Sequence, residues 1–373
     1  MRTFVFTFLE ASKNLLQILI ELLVSKFSIM SKLCVGKSLW GVEEAGDPSK
    51  WDSLFTRLKT EGYTHVETIL IFDANKDPKL FNQLLRKHGL RLIIQLHTAS
   101  DWASFDYCST ADLDVHIDSF RALLSNALTH QPTIVNVHSG HDSWDVSTAV
   151  EYFTRVHQIQ LEMLTGEHQH VTLVHETHRQ RLLYSPYQTR DVLQHPAIVA
   201  LSSSSSSSSS RSNGCGGGRG LRLNIDISHW VCVCENLFRD DGKGRDAWWP
   251  AILALAAEHC SLIHGRVGYA EGPQVVDPRQ EGYSAEVAAH AGWWKAIMRA
   301  QRRQGVKSVL VTEHGPSPYQ IYNLPDISSG SGSGSGESAL SDEQKGNVLW
   351  DINNFVKQLA EREWAKLEQE QGQ

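Results

Sequence analysis

Eight short apolar runs, set between amphipathic stretches, limit the folds open to this chain more than any other feature. They occupy 33–40 (LCVGKSLW), 65–71, 91–97, 133–138, 171–176, 222–227, 261–266 and 308–313. Runs of this length, rich in Val, Ile and Leu, read as strands buried on both faces. Between them WDSLFTRLKTEG, DPKLFNQLLRKHG, the stretch from Leu113 to His130 and AVEYFTRVHQIQLEMLTG place apolar residues at helical spacing. Gly62, Gly89 and Gly305 stand just before a strand, where a helix C-cap would feed an αβ loop. Eight strand–helix units predict an α/β chain folded as a single (β/α)8 TIM barrel. A doubly wound sheet is the alternative, and it would spread the strand ends along a crevice instead of around a ring.

The polar residues that end these runs carry the chemistry. Glu176, Asp226, His264 and Glu313 terminate four separate runs, VTLVHETHR, LRLNIDISHW, SLIHGRVGY and VKSVLVTEHGP. Charged side chains after such apolar approaches are costly to bury unless they are paired or bound to a metal. Three carboxylates and one imidazole form a donor set for one divalent ion, with Mn2+ favoured and Mg2+, Co2+ or Zn2+ left open. A cation held between two glutamates suits proton transfer beside a carbonyl, with the enediolate stabilised by the metal. Glu176 and Glu313 are therefore expected to be acid/base groups as well as ligands. His229, three residues after Asp226, and Arg266, two after His264, are expected to meet substrate. His97, His138 and Trp40 end strands three, four and one and are candidate pocket residues. Glu67, His175 and His178 are weaker candidates.

Composition excludes little. The chain has 373 residues, 41% in the hydrophobic set and 21% charged, enough for one large core. A formal net charge of −7 gives no electrostatic reason to expect nucleic acid. Six scattered cysteines make neither a disulfide framework nor a thiolate zinc site. Cys232 and Cys234 would share one face if that segment were a strand. Of the eleven tryptophans, Trp40, Trp144 and Trp230 fall near the candidate site, as pocket walls or as packing.

Three segments stand outside the barrel rhythm. Residues 1–30 are apolar but interrupted by Glu10, Lys13 and Glu21, which shortens the uncharged run below a membrane span. They read as an added amphipathic helix, an N-terminal extension to a barrel over 31–373, and the default location is cytoplasmic. Residues 202–220 and 327–340 are Ser/Gly tracts with too little apolar surface to repay ordering, so both are expected to be disordered insertions.

HETHRQRLLYSP, NIDISHWVCVCENL, HGRVGYAEGPQVVDPR and TEHGPSPY together resemble the sugar phosphate isomerase/epimerase-like branch of the xylose-isomerase-like barrels. The resemblance covers about residues 33–325 apart from the serine-rich insertion. It implies one divalent ion on Glu176, Asp226, His264 and Glu313, the two glutamates as the acid/base pair, and His229 against substrate. It implies a sugar or polyol isomerase or epimerase, with a dimer or tetramer common among its relatives. Dehydration of inosose-like substrates is close chemistry. The apurinic-site endonucleases of the same superfamily use three zinc ions and more histidines. His97, His138 and His229 are available for that, but Asp277-Pro278-Arg279 stands where Asp-x-His is wanted. A noncatalytic sugar-binding barrel is the reading outside enzymology.

Overall fold

A computed structural model describes residues 32–69, 75–101, 106–203, 220–239, 241–322 and 340–371. Each apolar run forms a strand: β1 Cys34–Ser38, β2 His65–Ile69, β3 Arg91–His97, β4 Ile134–His138, β5 Thr172–Glu176, β6 Leu223–Ile225, β7 Cys260–Gly265 and β8 Val309–Thr312. All pair in parallel with their neighbours in sequence, and β8 closes on β1 through Cys34 opposite Val309. A closed ring has no edge strands, so the doubly wound sheet is ruled out and the (β/α)8 barrel stands.

Helices cover the outside: α1 Trp51–Thr60, α2 Pro78–His88, α3 Leu113–Thr129, α4 Val146–Met163, α5 Pro186–Leu193, α6 Pro196–Ser203, α7 Ile227–Val233, α8 Trp249–His259, α9 Ser284–Arg303 and α10 Asp342–Gln371. Asp77, Asp112, Asp145 and Ser185 start α2 to α5 by accepting backbone N–H groups that the helix cannot satisfy itself. Gly89 ends α2 at φ 61°, and Gly62 and Gly305 likewise sit at positive φ before their strands.

The core has two parts. Inside the barrel, Cys34, Ile93, Ile134, Val174, Leu262, Val309 and Val311 form an apolar plug near the N-terminal ends of the strands. Outside it, the strands' other faces pack on the helices, with Trp51, Trp230, Trp249, Trp293 and Trp294 fully buried. Trp249 lies 4.4 Å from Phe238 and 5.2 Å from Trp293 between ring centroids. Full burial of a large apolar side chain contributes about 1.5–3 kcal/mol relative to exposure.

One local expectation fails. Cys232 lies in helix and Cys234 is its C-cap, so the two thiols do not share a strand face. The cause is Asp226, whose carboxylate accepts the Ser228 N–H and starts α7 directly after the short β6. Residues 1–30 and nearly all of both Ser/Gly tracts lie outside the described residues. Among the described residues, no helix is long and apolar enough to cross a membrane.

Candidate active site and metal centre

Strand alternation sends every second side chain inward, so the residues two or four positions beyond the plug line the barrel above it. Val174 leads to Glu176, Leu262 to His264 and Val311 to Glu313. Asp226 follows β6 directly. Ligand-capable atoms of Glu176, Asp226, His264 and Glu313 all lie within 4.8 Å of one another, and all four residues are buried. The ring nitrogen Nδ1 of His264 stands 2.8 Å from Glu313 Oε2 and 3.5 Å from Glu176 Oε2. Its other nitrogen, Nε2, stands 3.0 Å from Glu67 Oε2 on β2.

The remaining expected site residues gather around this set, with one exception. His138 Nε2 is 2.9 Å from Glu176 Oε2, and His97 stacks on His138 at 3.9 Å. His178 continues the row, 4.7 Å from His138 and 3.9 Å from His229. Arg266 is buried and reaches Asp226 Oδ2 at 3.2 Å, His229 Nε2 at 2.6 Å and the Ser228 hydroxyl at 3.3 Å. Gly268 permits this close approach, because a Cβ there would fall 2.9 Å from the Ser228 backbone. Trp40 is the exception. Its ring meets Tyr319 edge-on at 5.4 Å, and Tyr319 in turn accepts from Arg179 and lies under the Arg266 guanidinium. It also packs against Gly315, two residues beyond Glu313, so it borders the cluster without touching its donor atoms.

Solved structures provide the comparison for this geometry. An L-ribulose 3-epimerase matches 90% of this chain and 97% of its own at 14% identity and a TM-score of 0.51. A D-allulose 3-epimerase from Methylomonas sp., in complex with D-allulose, matches 88% of this chain and 97% of its own at 13% identity and a TM-score of 0.47. The IOLI protein with a binding zinc atom matches 88% of this chain and 96% of its own at 10% identity and a TM-score of 0.48. The chain has the barrel fold of the L-ribulose 3-epimerase. The expected (β/α)8 fold is thus one that a solved epimerase structure shares. No protein-family model matches the chain, and no curated protein matches it in sequence.

The donor set fits a cation. Each of the four candidate ligands has one buried atom that makes no hydrogen bond of acceptable geometry: Glu176 Oε1, Asp226 Oδ2, His264 Nδ1 and Glu313 Oε2. Their other polar atoms are held from behind. Asn136 and Asn224 donate to Glu176 Oε2 at 2.6 and 3.1 Å, and Gln95 donates to Glu313 Oε1 at 3.3 Å. Ser228 occupies Asp226 Oδ1. Glu67 faces the back of His264, the arrangement that fixes the tautomer and orientation of a ligating imidazole. A second grouping of His138, Glu176 and His178 also has metal-capable spacing, and it shares Glu176 with the first.

Electrostatics follow from crowding charges in a dry interior. Burial pushes Glu67 up, and it pushes Asp226 up to about 6 against the pull of Arg266. Burial also acts to raise Glu176, but His138 and His264 outweigh it and hold the carboxyl well below its usual range. Glu313 is lowered in the same way, by His264 and Arg266 against burial. Burial disfavours charge on His264, yet Glu313, Glu67 and Glu176 together raise it well above the usual value. A proton on His264 and a divalent cation therefore compete for the same carboxylates. Burial, followed by neighbouring imidazoles, keeps His97, His178 and His229 neutral.

Several contributors were missed from sequence. Gln95, Asn136 and Asn224 each stand two residues before an expected site residue, so strand parity alone would have found them. Arg181 is buried and ties three loops together by donating to Thr98 O, Gly140 O and Ser100 Oγ. His175 points away from the cluster, with Nδ1 on Ser139 Oγ and its ring against Phe153. Trp144 and Trp230 are packing residues, hydrogen-bonded through Nε1 to Ala111 O and Leu183 O.

Proposed function

We propose that the chain is a divalent-metal-dependent sugar or polyol isomerase or epimerase that moves a proton at the carbon next to a carbonyl. The observation carrying this reading is the convergence of four buried ligand-capable side chains within 4.8 Å, each with one atom that makes no hydrogen bond of acceptable geometry. The fold shared with an L-ribulose 3-epimerase supports it. Glu176, Asp226, His264 and Glu313 would hold the cation. When bound, it supplies polarisation of the substrate carbonyl and neutralises the charge left by proton loss.

The chain's own groups do the rest. Glu176 and Glu313 both stay ionised, so either can accept a proton from the carbon it faces and the other can return one. His229 accepts from Arg266 through Nε2, which places its ring proton on Nδ1, a buried atom with no partner. That N–H is the donor offered to a substrate hydroxyl. Arg266 holds His229 and Asp226 in register, and the row of His97, His138 and His178 walls the site. Cytoplasmic location and a homo-oligomer accompany this reading.

Metal analysis of protein purified without added metal, together with a Glu176→Gln/Glu313→Gln variant, tests it. About one Mn, Mg, Co or Zn per wild-type chain is expected, lost in the variant, with solvent deuterium entering ketopentoses or ketohexoses only in the wild type. No metal after reconstitution would overturn the proposal. Two or three zinc ions would favour phosphodiester hydrolysis instead, with His138 and His178 as added ligands. Against that second reading, Arg279 occupies both carboxylate oxygens of Asp277.

A further inference from the structure

Lys37 is a buried lysine with no ion-pair partner among the described residues. It sits in β1 between Gly36 and Ser38, on the face turned toward the helices, and is 2% exposed. Its Nζ donates to Ser38 O at 3.2 Å and lies 5.6 Å from the centre of the Trp350 ring on α10. The nearby carboxylate is already committed. Glu61 accepts from Arg57 Nε at 3.1 Å, from Trp350 Nε1 at 2.8 Å and from Asn354 Nδ2 at 3.1 Å. The Arg57 guanidinium covers the Trp350 ring at 3.6 Å, so a second cation stands near the amine, and Glu61 offsets it only in part.

Lys37 is among the residues lining a cavity of about 80 Å3 between the loop after β1, α1 and the first turns of α10. On that measure one water needs about 10–15 Å3, so the space suits a molecule of a few heavy atoms. Trp40 and Trp350 form part of the wall, and Glu43, Glu44, Asp342 and Glu343 form the rim. Four carboxylates at the entrance repel anions, and Lys37 and Arg57 in the same lining disfavour a cationic guest, which leaves neutral polar molecules. Trp40 is the residue that this cavity shares with the approach to the barrel mouth.

We propose that Lys37 is a covalent carbonyl-binding site that takes short neutral hydroxyaldehydes as imines. The amine lone pair adds to the carbonyl carbon, a proton passes from nitrogen to oxygen, and the carbinolamine loses one water. A C=N bond replaces the C=O bond with no change of oxidation state. Burial, with the Arg57 cation beside it, lowers the amine to about 7. Roughly half is then unprotonated at pH 7, against about one part in 2,500 for an exposed lysine.

The full-length protein at pH 7 is treated with glycolaldehyde and cyanoborohydride, and the reduced adducts are mapped by peptide mass spectrometry. Lys37 is expected to label at least tenfold faster than exposed lysines such as Lys50 and Lys79, and faster with glycolaldehyde than with anionic glyoxylate. Lys37→Arg should abolish the fast event. Labelling of the exposed lysines with Lys37 untouched would overturn the proposal, as would faster labelling by glyoxylate. The wild-type map decides the matter even if the variant fails to fold.

Discussion

Acid should destabilise this barrel in part through His290, a residue on α9 with no solvent exposure. Its Nδ1 lies 2.9 Å from Glu286 O, and its Nε2 accepts the Gly268 N–H at 3.2 Å. That pair of partners requires a neutral ring with its proton on Nδ1. A second proton would turn Nε2 into a donor pointed at another donor. Burial accordingly lowers the imidazole to about 4, against the opposing pull of the Glu286 carbonyl. The folded value lies below the unfolded one, near 6.5, so acid favours the unfolded chain, which takes up the proton that the folded chain refuses. Stability from this residue is intact above about pH 6.5 and is lost progressively as the pH falls toward 4. At pH 5 the loss is about 1.5 pH units at 1.36 kcal/mol each, or about 2 kcal/mol. That is a sizeable share of the 5–15 kcal/mol typical of a folded domain. Urea unfolding of wild type and His290→Gln at pH 7 and pH 5 isolates the effect, because each protein serves as its own reference. The variant should lose about 2 kcal/mol less than wild type between the two pH values. Equal losses would refute the argument.

Two further predictions concern the candidate centre. Glu67→Gln keeps the shape of the group behind His264 but removes its charge, and should weaken divalent-metal affinity about 10- to 100-fold in a chelator competition. Unchanged affinity would remove Glu67 from the positioning of His264. Gly268→Ala should cost about 1–3 kcal/mol in urea unfolding, because the new Cβ meets the Ser228 backbone and displaces the β7 loop that carries Arg266. A loss under about 0.5 kcal/mol would show that the loop moves freely.

The barrel was legible because its strands are buried on both faces and so appear as unbroken apolar runs. The site was legible where a polar residue ended such a run, as Glu176, His264 and Glu313 do. Reading stopped at two kinds of position. Gln95, Asn136 and Asn224 lie inside the runs, where a polar residue looks like an interruption until the inward parity of the strand is applied. Cys232 and Cys234 read as strand neighbours because Asp226 caps a helix, and a helix cap cannot be told from a candidate ligand by residue type. The row of His97, His138, His178 and His229 brings together two strand ends, the loop after β5 and the first turn of α7. No spacing in the sequence records that stacking.

The apolar plug gives the barrel a sealed bottom. Seven aliphatic and thiol side chains close the lower end, while every polar group of the centre lies above them. Traffic therefore passes through one door. Under the proposed function, an ion held by Glu176, Asp226, His264 and Glu313 and a sugar meeting His229 would share that opening, and a bound sugar would stand in the way of the ion's departure. Chelators should accordingly strip the ion slowly from protein saturated with substrate and quickly from protein without it.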